Sequence, residues 1–145
     1  MPVKYIVVHE GHVVIERWAG SISHEELVFH ERAQLQDPSI VPGAIVLADC
    51  RAVTFETTAD KVIEMSDSHK QRDNKTYMTK CAVLVKDDDS FAKARIFAEQ
   101  TTALGLNTIV FGSFDVACTW LGLNVEEIEG LIESIEVSAC PEPSQ

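Results

Sequence analysis

Two uninterrupted apolar runs, Ala44-Ile45-Val46-Leu47-Ala48 and Cys81-Ala82-Val83-Leu84-Val85, constrain the fold more than any other feature of this chain. Both have strand length, and neither alternates with polar residues. A strand takes that pattern when both of its faces are covered, as in the centre of a sheet flanked by helices. Such sheets are mostly parallel, and parallel neighbours need long crossovers between them. The segments around the two runs have the length and periodicity to be those crossovers.

The chain opens with Val- and Ile-rich segments from Lys4 to His9 and from His12 to Ala19. Glu10-Gly11 between them predicts a β-hairpin, with Gly20 ending the second strand. Ser23 and Glu26 have capping-box spacing, and Ile22 and Leu27 occupy hydrophobic-staple positions. A helix is therefore expected from Ser23 to about Gln36, where Asp37-Pro38 stops it. After the first apolar run, a loop through Val53-Thr54-Phe55 is expected to lead to a second helix, about Thr58 to Arg72.

Asp87-Asp88-Asp89-Ser90 caps a third helix carrying Phe91, Ala94, Phe97, Ala98, Thr101 and Leu104, with Gly105 at its end. Thr108 to Phe111 forms the last strand. A short helix from Phe114 to Leu121 follows, and Asn124 caps a final one with Val125, Ile128, Leu131, Ile132 and Ile135 on one stripe. The order is ββαβαβαβαα, an α/β fold with a mixed sheet and an N-terminal antiparallel hairpin. One domain over residues 1–138 is expected, with a disordered tail over 139–145.

A net charge of −11 argues against a nucleic-acid partner, since a phosphate backbone would be repelled. The nearest basic stretch, Lys70-Gln71-Arg72-Asp73-Asn74-Lys75, is diluted by polar residues and suits a helix C-terminus. No apolar run approaches the roughly 20 residues of a membrane span. Met1-Pro2-Val3-Lys4 leads straight into a strand pattern without a signal-like apolar region, so a cytoplasmic location is expected.

Chemistry-bearing motifs are few. The four cysteines, Cys50, Cys81, Cys118 and Cys140, include no C-x-x-C pair, so no metal or dithiol site is expected. No glycine-rich phosphate loop follows a strand. His24 and His30 are six residues apart, off a common helical face, and read as part of a solvated charged surface. His9 and His12 flank the hairpin turn. Asp49 follows a central strand, where receiver domains carry a phosphoacceptor, but the acidic pair and lysine of that chemistry have no counterparts here. Asp49, Cys50 and Arg51 are the residues an enzyme would use. No catalytic constellation, cofactor or metal site is expected, and the chain reads as a non-enzyme.

The stretch from Leu47 to Asp60, L-A-D-C-R-A-V-T-F-E-T-T-A-D, resembles the signature turn of STAS domains, the fold of anti-sigma-factor antagonists. A match through Val53-Thr54-Phe55 puts Thr58 at the family's phosphoacceptor serine and Thr57 at its aspartate. Asp60 stands where the family has glycine. Three further motifs are similar to a bacterial group of small SpoIIAA-like, STAS/SEC14-type proteins. They are L-x-D-x-R, an F-x-x-A-R-x-F segment from Phe91 to Phe97, and the closing Phe111, Ser113, Ala117, Trp120 and Leu121.

The resemblance implies the STAS fold and a regulatory or protein-interaction module. Its surface would comprise Asp49, Arg51, Thr57 and Thr58, with Thr58 a candidate phosphoacceptor. It also implies an alternative, a binding protein for a small apolar or lipid-like ligand. Phe114, Trp120, Leu123 and Ile128 are then expected to form a lid, or else a homodimer seam or plain core.

Overall fold

The computed structural model describes residues 2–58, 60–64, 78–103 and 105–137. The first two strands, β1 (Val3–Val8) and β2 (Val13–Ile22), pair antiparallel. Helix α1 (His24–Leu35) leads to β3 (Ala44–Phe55), and a helix at residues 60–64 (α2) follows it. Strand β4 (Met78–Leu84), helix α3 (Asp88–Ala103), strand β5 (Asn107–Phe111) and helices α4 (Phe114–Leu121) and α5 (Val125–Ser134) complete the chain. The sheet order is β1-β2-β3-β4-β5, with every pair after the first parallel.

That order explains the layering. Strands β2 to β5 are laid down side by side in one direction, so right-handed crossovers put α1, α2 and α3 on the same face. The other face would be bare unless the chain returned across it, and α4 and α5 do so. Two cores result. Val14, Trp18, Ala48 and Val83 pack with Leu27 and Ala94 on the first face. Ile15, Leu47 and Ala82 pack with Cys118, Leu121, Ile128 and Ile132 on the second. The two apolar runs are thus central strands covered on both sides.

Local signals hold where they were strong. Ser23 Oγ accepts from Glu26 N at 3.2 Å and Ser23 N donates to Glu26 Oε1 at 2.9 Å, completing the capping box. Asp87, Ser113 and Asn124 cap the three later helices in the same way, through Ser90 N, Val116 N and Glu127 N.

Two boundaries differ from expectation, for one reason. Strand β2 does not stop at Gly20 but passes through it with φ +78° and continues to Ile22. The segment expected as a loop through Val53-Thr54-Phe55 is instead the second half of β3, paired with that extension. Between the register pairs Arg17–Asp49 and Ala19–Ala52, β3 contains one residue more than β2. This bulge shifts the alternation, so Ala48 and Cys50 before it and Val53 and Phe55 after it all serve the first core. Most of the predicted second helix, including the basic stretch Lys70 to Lys75, lies outside the described residues, as do Cys140 and the tail.

The hairpin turn is a tight 3-10 segment, His9–Gly11, with φ of 54° at His9, 57° at Glu10 and 93° at Gly11. A Cβ on Gly11 would lie 2.5 Å from the Ser39 carbonyl oxygen, and Val41 N donates to Gly11 O at 3.0 Å. Gly11→Ala is expected to cost about 2 kcal/mol or more, from left-handed strain plus the backbone clash. Urea denaturation measures it, and a loss under about 0.5 kcal/mol would contradict the assignment.

Candidate functional site

The four predicted surface residues divide between the two faces of the sheet. Asp49 lies within β3 rather than at its end, and its side chain is mostly buried. Arg51 Nε and Nη2 reach Asp49 Oδ1 and Oδ2 at 2.9 and 3.0 Å, a bidentate pair, and the guanidinium stands 5.4 Å from the centre of the Phe114 ring. The hydrogen bond to Asp49 raises the Arg51 pKa against the opposing effect of burial, so the cation persists at any working pH. This pair ties β3 to α4 on the second face. Arg17 does similar work nearby, donating to the carbonyls of Ile132 and Ile135 at the end of α5.

Thr57 and Thr58 are on the other side. Thr57 is buried, its Oγ1 hydrogen-bonded to His24 Nδ1 at 3.1 Å. Thr58 is exposed and its Oγ1 accepts from Lys61 N at 3.3 Å, the contact of an N-cap on α2. Cys50 is buried inside β3, not at a strand end. Burial, then the charges of Glu16 and Asp49, push its thiol well above the ordinary range, which removes the thiolate a nucleophile needs. Among the described residues no group of three His, Cys, Asp or Glu side chains could hold a metal.

The sequence reading missed the most unusual cluster in the molecule. Glu16, in the middle of β2, is 4% exposed and points to the first face between Val14 and Trp18. Trp18 Nε1 donates to Glu16 Oε1 at 3.0 Å, and Gln34 Nε2 donates to Glu16 Oε2. His30 Nε2 stands 3.2 Å from the same Oε2, an ion-pair contact whose direction falls outside that of a hydrogen bond. The His30 ring lies edge-on between Tyr5 and Trp18, with centroids 5.8 and 4.9 Å away. His30 is therefore buried, correcting the expectation of a solvated face. Leu27, His30 and Gln34 are the buried residues of α1, and their i, i+3, i+7 spacing was present in the sequence. Counting only apolar side chains concealed it.

Burial alone would push the His30 pKa down, but the Glu16 carboxylate and the more distant charge of Glu31 outweigh it, and the net shift is upward from 6.5. Protonated His30 then contributes stability that is fully present below its unfolded value of 6.5 and is lost as pH rises through the higher folded value. Denaturation midpoints measured upward from that pH should fall in the wild type, and His30→Gln should flatten this part of the profile. An identical slope in the variant would assign the loss to other groups.

Glu16, Gln34 and Thr57 form the buried polar part of a cavity of about 90 Å³ between the sheet and helices α1, α2 and α3, with Lys93 also on its wall. The remaining wall is largely apolar, including Trp18, Val46, Ala48, Cys50, Val62, Val83 and Ala94. It passes to half-buried side chains at Glu31, Met78, Phe97 and Leu106. The cavity is on the face opposite the residues expected to line one. Ile128 is fully buried in the second core, with Phe114, Trp120 and Leu123 packed against it, so these side chains fill a core rather than cover a pocket.

The five-stranded mixed sheet, opening on an antiparallel hairpin and covered by helices, matches a SpoIIAA-like α/β fold. Among solved structures, the chain is similar to an uncharacterised protein of the DUF3478 family from Shewanella loihica that has a SpoIIAA-like fold. The two superpose with a TM-score of 0.51 over 82% of this chain and 91% of that one, at 12% sequence identity. The likeness is one of fold. No family model and no curated protein matches the sequence. No helix among the described residues is long and apolar enough to cross a membrane.

Proposed function

We propose that this chain is a non-enzymatic cytoplasmic binding module whose first-face cavity takes a small apolar molecule. One observation carries the reading: a part-open cavity of about 90 Å³ persists in a face that is otherwise packed, next to a buried, hydrogen-bonded carboxylate. Protein interiors rarely keep such a cavity, because each missing contact weakens the core. An apolar occupant would restore those contacts. Native mass spectrometry of the full chain purified from its own host tests this. A retained small molecule that is lost on Val83→Phe, in a variant that still folds, is the expected result. Ligand-free wild-type protein would count against it.

A second reading is a regulatory module that docks a protein partner at the start of α2. It is favoured by Thr58, exposed at a helix N-terminus where a phosphate would meet the positive end of the helix dipole. The net charge of −11 would suit a partner with a basic face. The same spectrum reports phosphorylation and self-association, and an unmodified monomer would weigh against this reading.

A further inference from the structure

We propose that the occupant of the cavity is a small neutral molecule with an apolar body and one hydrogen-bond donor, a hydroxyl or N–H, which Glu16 Oε1 accepts. This deepens the ligand reading above and rests on it.

A carboxylate offers about four accepting positions. Oε1 accepts one hydrogen bond, from Trp18 Nε1, while Oε2 accepts from Gln34 Nε2 and lies 3.2 Å from His30 Nε2 in the ion-pair contact. One position remains, on Oε1. The carboxylate is held by a strand residue on one side and two residues of α1 on the other, so its orientation is set before any ligand arrives. Apart from this group, Gln34 and Thr57, whose hydroxyl is already hydrogen-bonded to His24 Nδ1, the deep wall of the cavity is apolar. A matching molecule therefore needs one donor at one end and nothing polar elsewhere.

Charge selects further. An anionic head group would face the Glu16 carboxylate. Lys93, the cation on the cavity wall, already donates to the Phe55 carbonyl at 2.7 Å and pairs with Asp89 at 3.1 Å. A cationic head group would compete with His30, which already holds the ion-pair position at Glu16 Oε2. A neutral donor meets neither obstacle. The volume of about 90 Å³ exceeds the roughly 15 Å³ that admits one water and suits a molecule of single-ring size, with flexible Met78 on the wall to adapt.

The test compares phenol with fluorobenzene, two rings of similar size of which only phenol donates, by methyl and indole N–H chemical shifts of the full chain. A purely apolar cavity would favour fluorobenzene, because phenol must shed the water on its hydroxyl. A donor site at Glu16 reverses the order, and phenol should bind about tenfold more tightly, as for a hydrogen bond to a charged group. Benzoate should bind more weakly than phenol. Glu16→Gln should narrow the preference to about threefold or less. If that variant does not fold, the order of ligands on the wild type decides alone. Fluorobenzene binding as well as or better than phenol would overturn the donor assignment and leave the ligand reading standing. Failure of all three molecules to bind would overturn both.

Discussion

Replacing Glu16 with alanine should lower the unfolding free energy by about 3–5 kcal/mol at pH 6, the range for breaking a buried ion pair by removing one partner. Three groups lose their acceptor together. Trp18 Nε1 and Gln34 Nε2 are left without their bonds, and His30 keeps a proton with no counter-charge or must give it up. Urea denaturation followed by tryptophan fluorescence reports the loss. The double replacement Glu16→Leu with His30→Leu should recover only the part due to the unpaired charge, because Trp18 Nε1 and Gln34 Nε2 still lack their acceptor. A single-variant loss under about 1 kcal/mol would mean that water or rearrangement satisfies the remaining groups.

The second large effect contrasts neighbouring residues on opposite faces of β3. Leu47 is fully buried in the second core against α4 and α5, and Leu47→Ala should cost about 3–5 kcal/mol through lost burial and the cavity left behind. Ala48, one residue on, faces the existing cavity. Ala48→Leu should change stability by less than about 1 kcal/mol, since its added carbons enter space already present rather than displace packed neighbours. A large loss at Ala48 would mean that the first face is packed as tightly as the second. The same substitution should also weaken binding of any ring-sized molecule in that cavity.

Both predictions depend on which face each side chain meets, and the sequence was uneven on that point. Strand and helix order, helix caps and the two central strands were legible because their causes are local. A capping box spans four residues, and a doubly covered strand shows its burial as an unbroken apolar run. The end of β3 was not legible in this way. Val53 to Phe55 becomes strand only because β2 continues past Gly20 to pair with it, and the bulge sets the faces thereafter.

The site divided along the same line. Asp49, Arg51, Thr57 and Thr58 are close in sequence, yet the bulge and the pleat put the first two against α4 and the last two beside α1 and α2. Glu16, Trp18, His30 and Gln34 come together only when α1 docks on β2. By itself the sequence determined the class of fold, the order of its elements and the caps that bound them, because periodicity and turn chemistry act over a few residues. Only the tertiary structure decided that a polar stripe on α1 faces inward over a buried carboxylate and leaves a cavity there. That outcome depends on how a helix is rotated against a sheet, and a helix rotation is settled by contacts between residues far apart in the chain.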